Sequence, residues 1–363
     1  MKLIIKTKQK KYPIYIGKNN SYSISKILQK NNIRSKNIII IYDKNVPTKI
    51  VLKIKNNLNN KKIIFFKMDF NEKNKNMKTI EKIINLLQKN NFSRNDSLIS
   101  IGGGIAGDVC GFASSIYKRG IKFINIPSTL LSQVDSSIGG KTGVNTFIGK
   151  NMIGTFCQPD LVISDSIFLK SLPKREIICG YSEILKHSLI DNKSFFNYLK
   201  KNYNNIINLK QKFLNKAIFV SCKIKKKIVE KDETEKNLRK SLNFGHTFAH
   251  AFEATMGYSR KLNHGEAVLL GILAASKFSY KENLLNLDDF NLIKGHLTQL
   301  NYYNFKKYFT KNKINKIVKY MSADKKNKGS SINLVLLKKI SKVILHKEYS
   351  KKTISNFLMN LIN

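Results

Sequence analysis

The stretch Leu-Ile-Ser-Ile-Gly-Gly-Gly-Ile-Ala-Gly-Asp, residues 98–108, decides the fold of the first half of the chain. Its apolar opening predicts a strand, and its glycines match the pattern Gly-x-Gly-x-x-Gly, which connects a strand to a helix that we expect to run through Tyr117. Glycines allow a tight turn and let a phosphate group approach the helix N-terminus closely. The motif alone leaves three interpretations open: a dinucleotide site, another phosphate site and a plain tight turn.

The acidic residue that usually accompanies this motif about 20 positions later is missing, because Pro127-Ser128 occupies that place. Asp43 ends an earlier predicted strand and could hold a ribose hydroxyl instead. The sequence therefore departs from the standard Rossmann pattern at this point.

Segments with strand and helix patterns alternate on both sides of the glycine stretch. Ile38 to Tyr42 is a continuous apolar run, which is typical of a strand buried on both faces of a parallel sheet. The predicted strands are 3–5, 14–16, 38–42, 63–66, 98–101, 123–126 and 161–164, with helices at 46–58 and 77–88 and after the glycines. The first two strands should form a hairpin, and the alternation predicts a Rossmann-like, doubly wound α/β sheet.

The alternation stops at Pro173, and from Arg175 onward nearly every segment has helical spacing. We therefore predict two domains, an α/β nucleotide-binding domain at residues 1–172 and a helical, all-α domain at residues 173–363. The fold class is α/β plus all-α.

Composition points away from nucleic acid and membranes. The 363 residues include 66 Lys and Arg against 23 Asp and Glu, a net charge of +43. These lysines are spread along the chain with Asn and Ile, as base-composition drift would leave them, and not grouped on one face as nucleic-acid binding requires. The longest apolar run, 267–275, is too short to span a bilayer, and the N-terminus lacks a signal peptide. Four scattered cysteines predict free thiols and, with the rest, a cytoplasmic protein.

Three of the six histidines lie between Leu242 and Glu266. His246 and His250 are four residues apart and would share one face of a helix, where they could bind a metal or, alternatively, cap and pack. His264 precedes an apolar helix predicted from about Ala267 and could turn back toward His246. Two imidazoles with one carboxylate would form an open zinc site of the catalytic type, and the carboxylate must come from elsewhere in the chain.

A dense polar stretch from Pro127 to Pro159 would be costly to bury without ligands. A series of motifs, several of them in this stretch, closely resembles the 3-dehydroquinate synthase family. The resemblance extends from about Asp43 to Lys326. The motifs are Gly-Gly-Gly-x-x-Gly-Asp (102–108), Thr-Leu-Leu-Ser-Gln-Val-Asp-Ser-Ser (129–137), Gly-Gly-Lys-Thr (139–142), Gly-Lys-Asn-Met-Ile-Gly (149–154), Ser-Glu-Ile-Leu-Lys (182–186), Gly-His-Thr-Phe-Ala-His (245–250) and His-Gly-Glu (264–266).

This resemblance implies NAD and one divalent metal, zinc or cobalt, as cofactors, and a homodimer. The implied metal ligands are Glu183, His246 and His264, so that Glu183 is the missing carboxylate and His250 handles protons instead. The implied NAD-binding residues are Asp43, Asn45, Glu72, Lys75, Gly103, Gly104, Ile105, Ala106, Gly107, Asp108, Ser128, Thr129, Asp135, Lys141, Lys150, Phe168, Leu169, Lys170 and Ser171. The implied catalytic and substrate-binding residues are Arg119, Asp135, Lys141, Asn151, Glu183, Lys186, Lys225, Arg239, Asn243, His246, His250, His264 and a lysine of the pair Lys325-Lys326, assigned to Lys326.

The resemblance also implies the reaction, conversion of 3-deoxy-D-arabino-heptulosonate 7-phosphate to 3-dehydroquinate and phosphate. A substrate with a carboxylate and a phosphate calls for a cluster of Arg and Lys. Two alternatives remain. The first shares the fold and is either a metal-dependent alcohol or polyol dehydrogenase or a sugar-phosphate cyclase that forms another ring. The second, from a different class, is a basic nucleic-acid-binding protein.

Overall fold

The computed structural model describes residues 1–58, 62–259, 261–302, 304–323 and 331–362. The chain divides into two compact units. The first comprises Met1–Ile177 and Asn205–Thr234, and the second comprises Ile178–Asn204 and Glu235–Asn363. The predicted domain boundary at Pro173 stays a prediction.

The strands and helices follow in chain order. The strands are β1 (Lys2–Lys6), β2 (Lys11–Gly17), β3 (Asn37–Asp43), β4 (Lys62–Met68), β5 (Ser97–Gly102), β6 (Lys122–Pro127), β7 (Lys141–Val144), β8 (Ile153–Phe156), β9 (Leu161–Asp165), β10 (Ser331–Lys339) and β11 (Lys342–Ser350). The α-helices are α1 (Ile24–Lys30), α2 (Thr48–Asn56), α3 (Met77–Lys89), α4 (Gly104–Ile116), α5 (Lys174–Asp191), α6 (Lys193–Ile207), α7 (Gln211–Lys231), α8 (His246–Thr255), α9 (His264–Lys281), α10 (Leu287–Gln299), α11 (Ile314–Ser322) and α12 (Lys351–Ile362).

A seven-stranded sheet in the order β1-β2-β9-β6-β5-β3-β4 organises the first unit. The β1–β2 pair is antiparallel, and the other neighbours are parallel. Side chains alternate between the faces, so Ile38 and Ile40 join one apolar cluster while Ile39 and Ile41 join the other. The doubly wound sheet and the opening hairpin are therefore confirmed.

The order of the strands reverses between β3 and β5. From β3 the chain crosses to β4 on one side and then to β5 on the other. Ligands of open parallel sheets bind at such a reversal, beside the carboxyl ends of the strands. Asp43 ends β3 and Gly102 ends β5, so this position brings together two segments that the sequence singled out.

Helix α7 belongs to the first unit although it comes late in the chain. The backbone N–H groups of Lys6 and Lys8 donate to the carboxylates of Glu230 and Glu233, at 2.7 and 3.0 Å. Gln158 also donates to Glu233, at 2.8 Å. These bonds connect the C-terminal end of α7 and the residues after it to the opening hairpin and to Gln158.

The second unit is mainly helical, as predicted, but it also contains the antiparallel hairpin β10–β11, which was not predicted. In β10 the side chains of Ile332, Leu334 and Leu336 are buried in alternation, the pattern of a strand with one covered face. A second unpredicted pair, β7–β8, lies in the polar stretch of the first unit.

Two smaller expectations can be compared directly. The apolar helix begins at His264 and not near Ala267, because the side chain of Asn263 and the carboxylate of Glu266 form a capping box that starts it earlier. All four cysteines are free thiols, and three of them are buried, with Cys157 half-buried. Among the described residues, no helix combines the length and apolarity needed to cross a bilayer.

Candidate active site

Glycines set how closely the helices of the second unit approach one another. Gly265, in the first turn of α9, lies against α5 so closely that a Cβ there would be 2.2 Å from Cys179 Cα. Cys179 is one helical turn before Glu183 on α5. The contact therefore brings the start of α9, with His264, next to the part of α5 that carries Glu183.

A second glycine contact joins α8 to α9. Gly245, which precedes α8, has φ +77°, and a Cβ at this position would be 2.8 Å from the backbone nitrogen of Ile272. A Cβ at Gly271 would be 2.3 Å from the carbonyl oxygen of Gly245. Backbone meets backbone here, and His246 follows immediately at the first position of α8.

These contacts bring together Glu183, His246 and His264, the predicted metal ligands. One donor atom from each side chain lies within 4.8 Å of the other two. The Nε2 atom of His246 is 3.4 Å from Oε1 of Glu183, and the rings of His246 and His264 are 5.8 Å apart. Glu183 is fully buried, and the two histidines are partly buried.

The electrostatics of the cluster favour the protonation states that bind a metal. Burial raises the pKa of Glu183, but the ammonium of Lys186 and the ring of His246 outweigh it and hold that pKa well below its usual range. Burial lowers the pKa of His246, and Lys186 lowers it further. At neutral pH the carboxylate is ionised and the imidazole is neutral, as metal coordination requires.

The partners of the Glu183 carboxylate also suit a divalent cation. Lys186 and His246 lie within ion-pair distance of Glu183. Apart from these two groups, neither Glu183 oxygen has a hydrogen-bond partner in the described part of the chain. Buried carboxylate oxygens ordinarily have such partners. Two imidazoles and one carboxylate are also the donor set of open zinc sites.

Other predicted substrate-side residues belong to the same unit, and one of them, His250, lies beside this cluster. His250, one turn after His246 on α8, lies with its ring 5.3 Å from His246 and 6.4 Å from His264. Arg239 is buried in the short 3-10 helix Leu238–Asn243. The side-chain amide of Asn243 donates to Glu235 at 2.8 Å. Sequence analysis did not single out Glu235.

In the first unit, several of the predicted NAD residues lie where the strand order reverses. A Cβ at Gly102 would lie 3.3 Å from Cβ of Asp43, and a Cβ at Gly104 would lie 3.0 Å from Oγ of Ser136. The backbone N–H of Ser128 donates to the carbonyl of Gly102 at 2.7 Å. No described side chain caps α4, which begins at Gly104. Its N–H groups and the positive end of its dipole suit a pyrophosphate, so the residues fit a dinucleotide.

Two of the predicted cofactor residues, Asp43 and Lys75, make hydrogen bonds to other residues of the protein. The carboxylate of Asp43 accepts from the backbone N–H groups of Asn45 and Phe70, at 2.8 and 3.1 Å, and so orders the loops after β3 and β4. The ammonium of Lys75 binds Asp108 at 2.5 Å and Asn151 at 2.6 Å. Burial raises the pKa of Asp108, and Lys75 opposes that rise.

The two polar loops near this position are joined by hydrogen bonds. Asn145 donates to Glu72 at 2.8 Å, and the backbone N–H of Asn151 donates to Asn145 at 2.9 Å. Lys150 lies 3.6 Å from the carboxylate of Glu72, and both side chains are exposed. The predicted residues of both loops thus lie together.

Asp135 and Lys225 form a further pair within the first unit. The ammonium of Lys225, on α7, donates to both the carboxylate and the backbone carbonyl of Asp135, at 2.5 Å each. Asp135 is part of a short π-helix, Ser132–Ser136, a form frequent at functional sites. Lys141 is exposed at the start of β7.

The remaining predicted positions are the segment Phe168–Ser171, Arg119 and the pair Lys325-Lys326. Phe168 and Leu169 are buried, and Phe168 packs in the apolar cluster of α1 and α2, whereas Lys170 and Ser171 are exposed. Arg119 lies just before β6, at the opposite ends of the strands from the glycine stretch, in a cavity of about 810 Å³ that Arg94 and Lys122 also line. Lys325 and Lys326 lie outside the described residues.

Two family models match most of this chain. Residues 65–179 match the model of the family described as 3-dehydroquinate synthase N-terminal, and residues 180–327 match the one described as 3-dehydroquinate synthase C-terminal. The 3-dehydroquinate synthase of Pelagibacter ubique (strain HTCC1062) is 53% identical over 359 residues, covering 99% of this chain and 98% of the relative.

Solved structures share the fold. A 2-deoxy-scyllo-inosose synthase, complexed with carbaglucose-6-phosphate, NAD+ and Co2+, superposes with a TM-score of 0.88 at 22% identity, covering 99% of this chain and 100% of the other. The 2-epi-5-epi-valiolone synthase of Streptomyces hygroscopicus subsp. jinggangensis 5008, with NAD+ and Zn2+ bound, gives 0.85 at 21% identity and 96% coverage of both chains. At these identities the likeness shows the fold alone. The two family models and the Pelagibacter relative show more: the chain belongs to the 3-dehydroquinate synthase family.

Proposed function

We propose that this chain converts 3-deoxy-D-arabino-heptulosonate 7-phosphate into 3-dehydroquinate and phosphate. The reaction is a carbon–oxygen lyase reaction with ring closure and no net redox change. The observation that carries the proposal is the group Glu183, His246 and His264, in which a buried carboxylate without well-formed hydrogen bonds faces two imidazoles. Membership of the family supplies the substrate.

The proposal includes two cofactors. Residues 1–172 would hold NAD at the carboxyl ends of β3 and β5, and residues 173–363 would hold one divalent metal, zinc or cobalt, on Glu183, His246 and His264. When bound, NAD+ would supply a hydride acceptor for a substrate carbinol carbon that is restored in the same turnover, and the metal would supply polarisation of the substrate hydroxyl. The printed names of the two solved cyclases, which include NAD+ with Co2+ or Zn2+, support this choice.

The chain's own residues have separate tasks in this proposal. Lys186, Lys225 and Arg239 are buried or nearly buried cations and would bind the carboxylate and phosphate of the substrate, where low polarity strengthens each contact. His250 would hold or move a proton, because its ring lies beside both proposed histidine ligands. Lys141 and Asn151 are proposed to orient the substrate. Arg119, at the N-terminal ends of the strands, is given no role in this scheme.

A coupled phosphate-release assay with the heptulosonate phosphate tests the proposal. We expect phosphate release that requires both NAD+ and the metal, stops with a chelator and returns when zinc or cobalt is added. Glu183→Gln should abolish it, whereas the exposed Glu348→Gln should not, since Glu348 lies on β11 and contacts none of the proposed ligands.

Two results would contradict the proposal. Net accumulation of NADH with the same substrate would indicate a dehydrogenase, and phosphate release indifferent to both NAD+ and chelator would remove both cofactors from the scheme. The homodimer and the cytoplasmic location also remain proposals, and light scattering after size-exclusion chromatography would test the first of them.

A further inference from the structure

A carboxylate that sequence analysis did not single out lies beside one of the proposed metal ligands. Oε2 of Glu253, on α8, is 3.0 Å from Nδ1 of His264. The side chain of Glu253 is 12% exposed, and that of His264 is 34% exposed. The contact thus has the length of an ordinary hydrogen bond and is largely withdrawn from water on the carboxylate side.

Helix geometry explains why Glu253 reaches this position. His246, His250 and Glu253 stand at spacings of four and three residues, so their side chains project from one face of α8. The backbone contact between Gly245 and Gly271 fixes how α8 lies against α9. Glu253 therefore meets His264 across two helices that are in backbone contact at these glycines.

The chemistry of the contact determines which nitrogen carries the proton. An ionised carboxylate only accepts hydrogen bonds, so Nδ1 of His264 must be the donor. A neutral imidazole has one N–H, and with the proton on Nδ1 the lone pair is on Nε2. The hydrogen bond therefore selects one tautomer and restrains rotation of the ring.

His246 shows the same arrangement with a different partner. Its Nδ1 is 3.3 Å from the backbone carbonyl of Phe244, which also only accepts, while its Nε2 faces Glu183 at 3.4 Å. Two histidines of one cluster thus have Nδ1 directed to an acceptor. This is the outer-shell pattern of histidines that bind metals through Nε2.

We propose that Glu253 is a positioning residue that fixes the tautomer and orientation of His264 for metal binding through Nε2. The inference rests on the proposed function, because it assumes that His264 binds the metal. Glu253 does not touch the metal itself in this scheme. Its carboxylate also makes Nε2 of His264 a stronger electron-pair donor to the metal.

Two substitutions separate hydrogen bonding from charge. Glu253→Leu removes the acceptor, whereas Glu253→Gln keeps an oxygen that can accept from Nδ1 and loses only the charge. We expect zinc affinity, measured by competition with a chromophoric chelator, to fall about 10–100-fold in the Leu variant and less in the Gln variant. The visible absorption spectrum of the Co2+-loaded protein should change in the Leu variant and be largely restored in the Gln variant. Glu348→Leu is the control, because Glu348 is exposed and lies on β11.

The outcomes can be told apart. If both Glu253 variants bind zinc with unchanged affinity and give the unchanged Co2+ spectrum, the inference is wrong while the proposed function stands. If the unsubstituted protein binds no metal, the proposed function and this inference are both overturned. If the Leu variant does not fold, Glu253→Ala takes its place, because it also removes the acceptor, and an unchanged zinc affinity in that variant would contradict the inference.

Discussion

Replacing Gly265 by alanine should damage the metal cluster more than it damages the fold. The added Cβ would be 2.2 Å from Cys179 Cα and 2.8 Å from Cys179 Sγ. Carbon atoms in contact need at least about 3.4 Å, so the first turn of α9 must move away from α5 by about 1.2 Å. His264 is the neighbouring residue and would move with it.

The size of both effects follows from that displacement. Inserting one methyl group into a packed contact costs about 1–3 kcal/mol of unfolding free energy. Metal–ligand distances tolerate only about 0.2 Å, so a displacement several times larger should reduce zinc affinity by at least about tenfold. Metal binding should therefore be lost at temperatures where the protein is still folded.

The assay combines thermal unfolding with zinc titration. Gly295→Ala is the matched control, because Gly295 also lies within a helix, α10, and a Cβ there would meet nothing within 4 Å. That change should stabilise the protein by about 0.5–1 kcal/mol through helix propensity and leave zinc affinity unchanged. If Gly265→Ala bound zinc as tightly as the unsubstituted protein, the glycine contact would not be what places His264.

Three further predictions concern single side chains. Glu183→Gln should lower zinc affinity by more than the roughly 10–100-fold expected for an outer-shell partner, since it removes a ligand; metal analysis after dialysis would test this. Burial lowers the pKa of His296 from 6.5 to about 4, so the unfolded chain takes up the proton first and stability falls as the pH drops through that window. The loss by pH 4 should reach about 3 kcal/mol, and urea unfolding of His296→Leu should show a smaller slope between pH 7 and 5; an unchanged slope would contradict the assignment. Lys75→Met should leave the Asp108 carboxylate without its ammonium, destabilise the protein by up to about 3 kcal/mol and weaken NAD binding in calorimetry, whereas the exposed Lys78→Met should do neither.

Sequence patterns predicted the parts of the fold that depend on local periodicity. The run Ile38 to Tyr42 forms β3, and the glycine stretch connects β5 to α4 as predicted. The hairpin β10–β11 was not predicted, because the segments around Ile332, Leu334 and Leu336 have helical spacing and the period of two is confined to this short run. The strand pair β7–β8 has four residues in each strand and carries too weak a pattern to predict.

The site depends on contacts that spacing does not reveal. His246 and His250 share a helix face as predicted, but Glu183 stands on a helix far away in the sequence, and only family resemblance pointed to it. The requirement for glycine at 265 comes from its contact with Cys179, which no local pattern shows. Glu253 was within reach of sequence reasoning, since it lies three residues after His250 on the same face.

Helix α7 has a consequence for how this protein is made. The first unit includes residues 205–234, but residues 178–204, which precede them in the chain, belong to the second unit. During synthesis, the hydrogen bonds from Lys6 and Lys8 to Glu230 and Glu233 cannot form until Glu233 has left the ribosome. No single cut in the polypeptide can therefore release the two units as intact fragments.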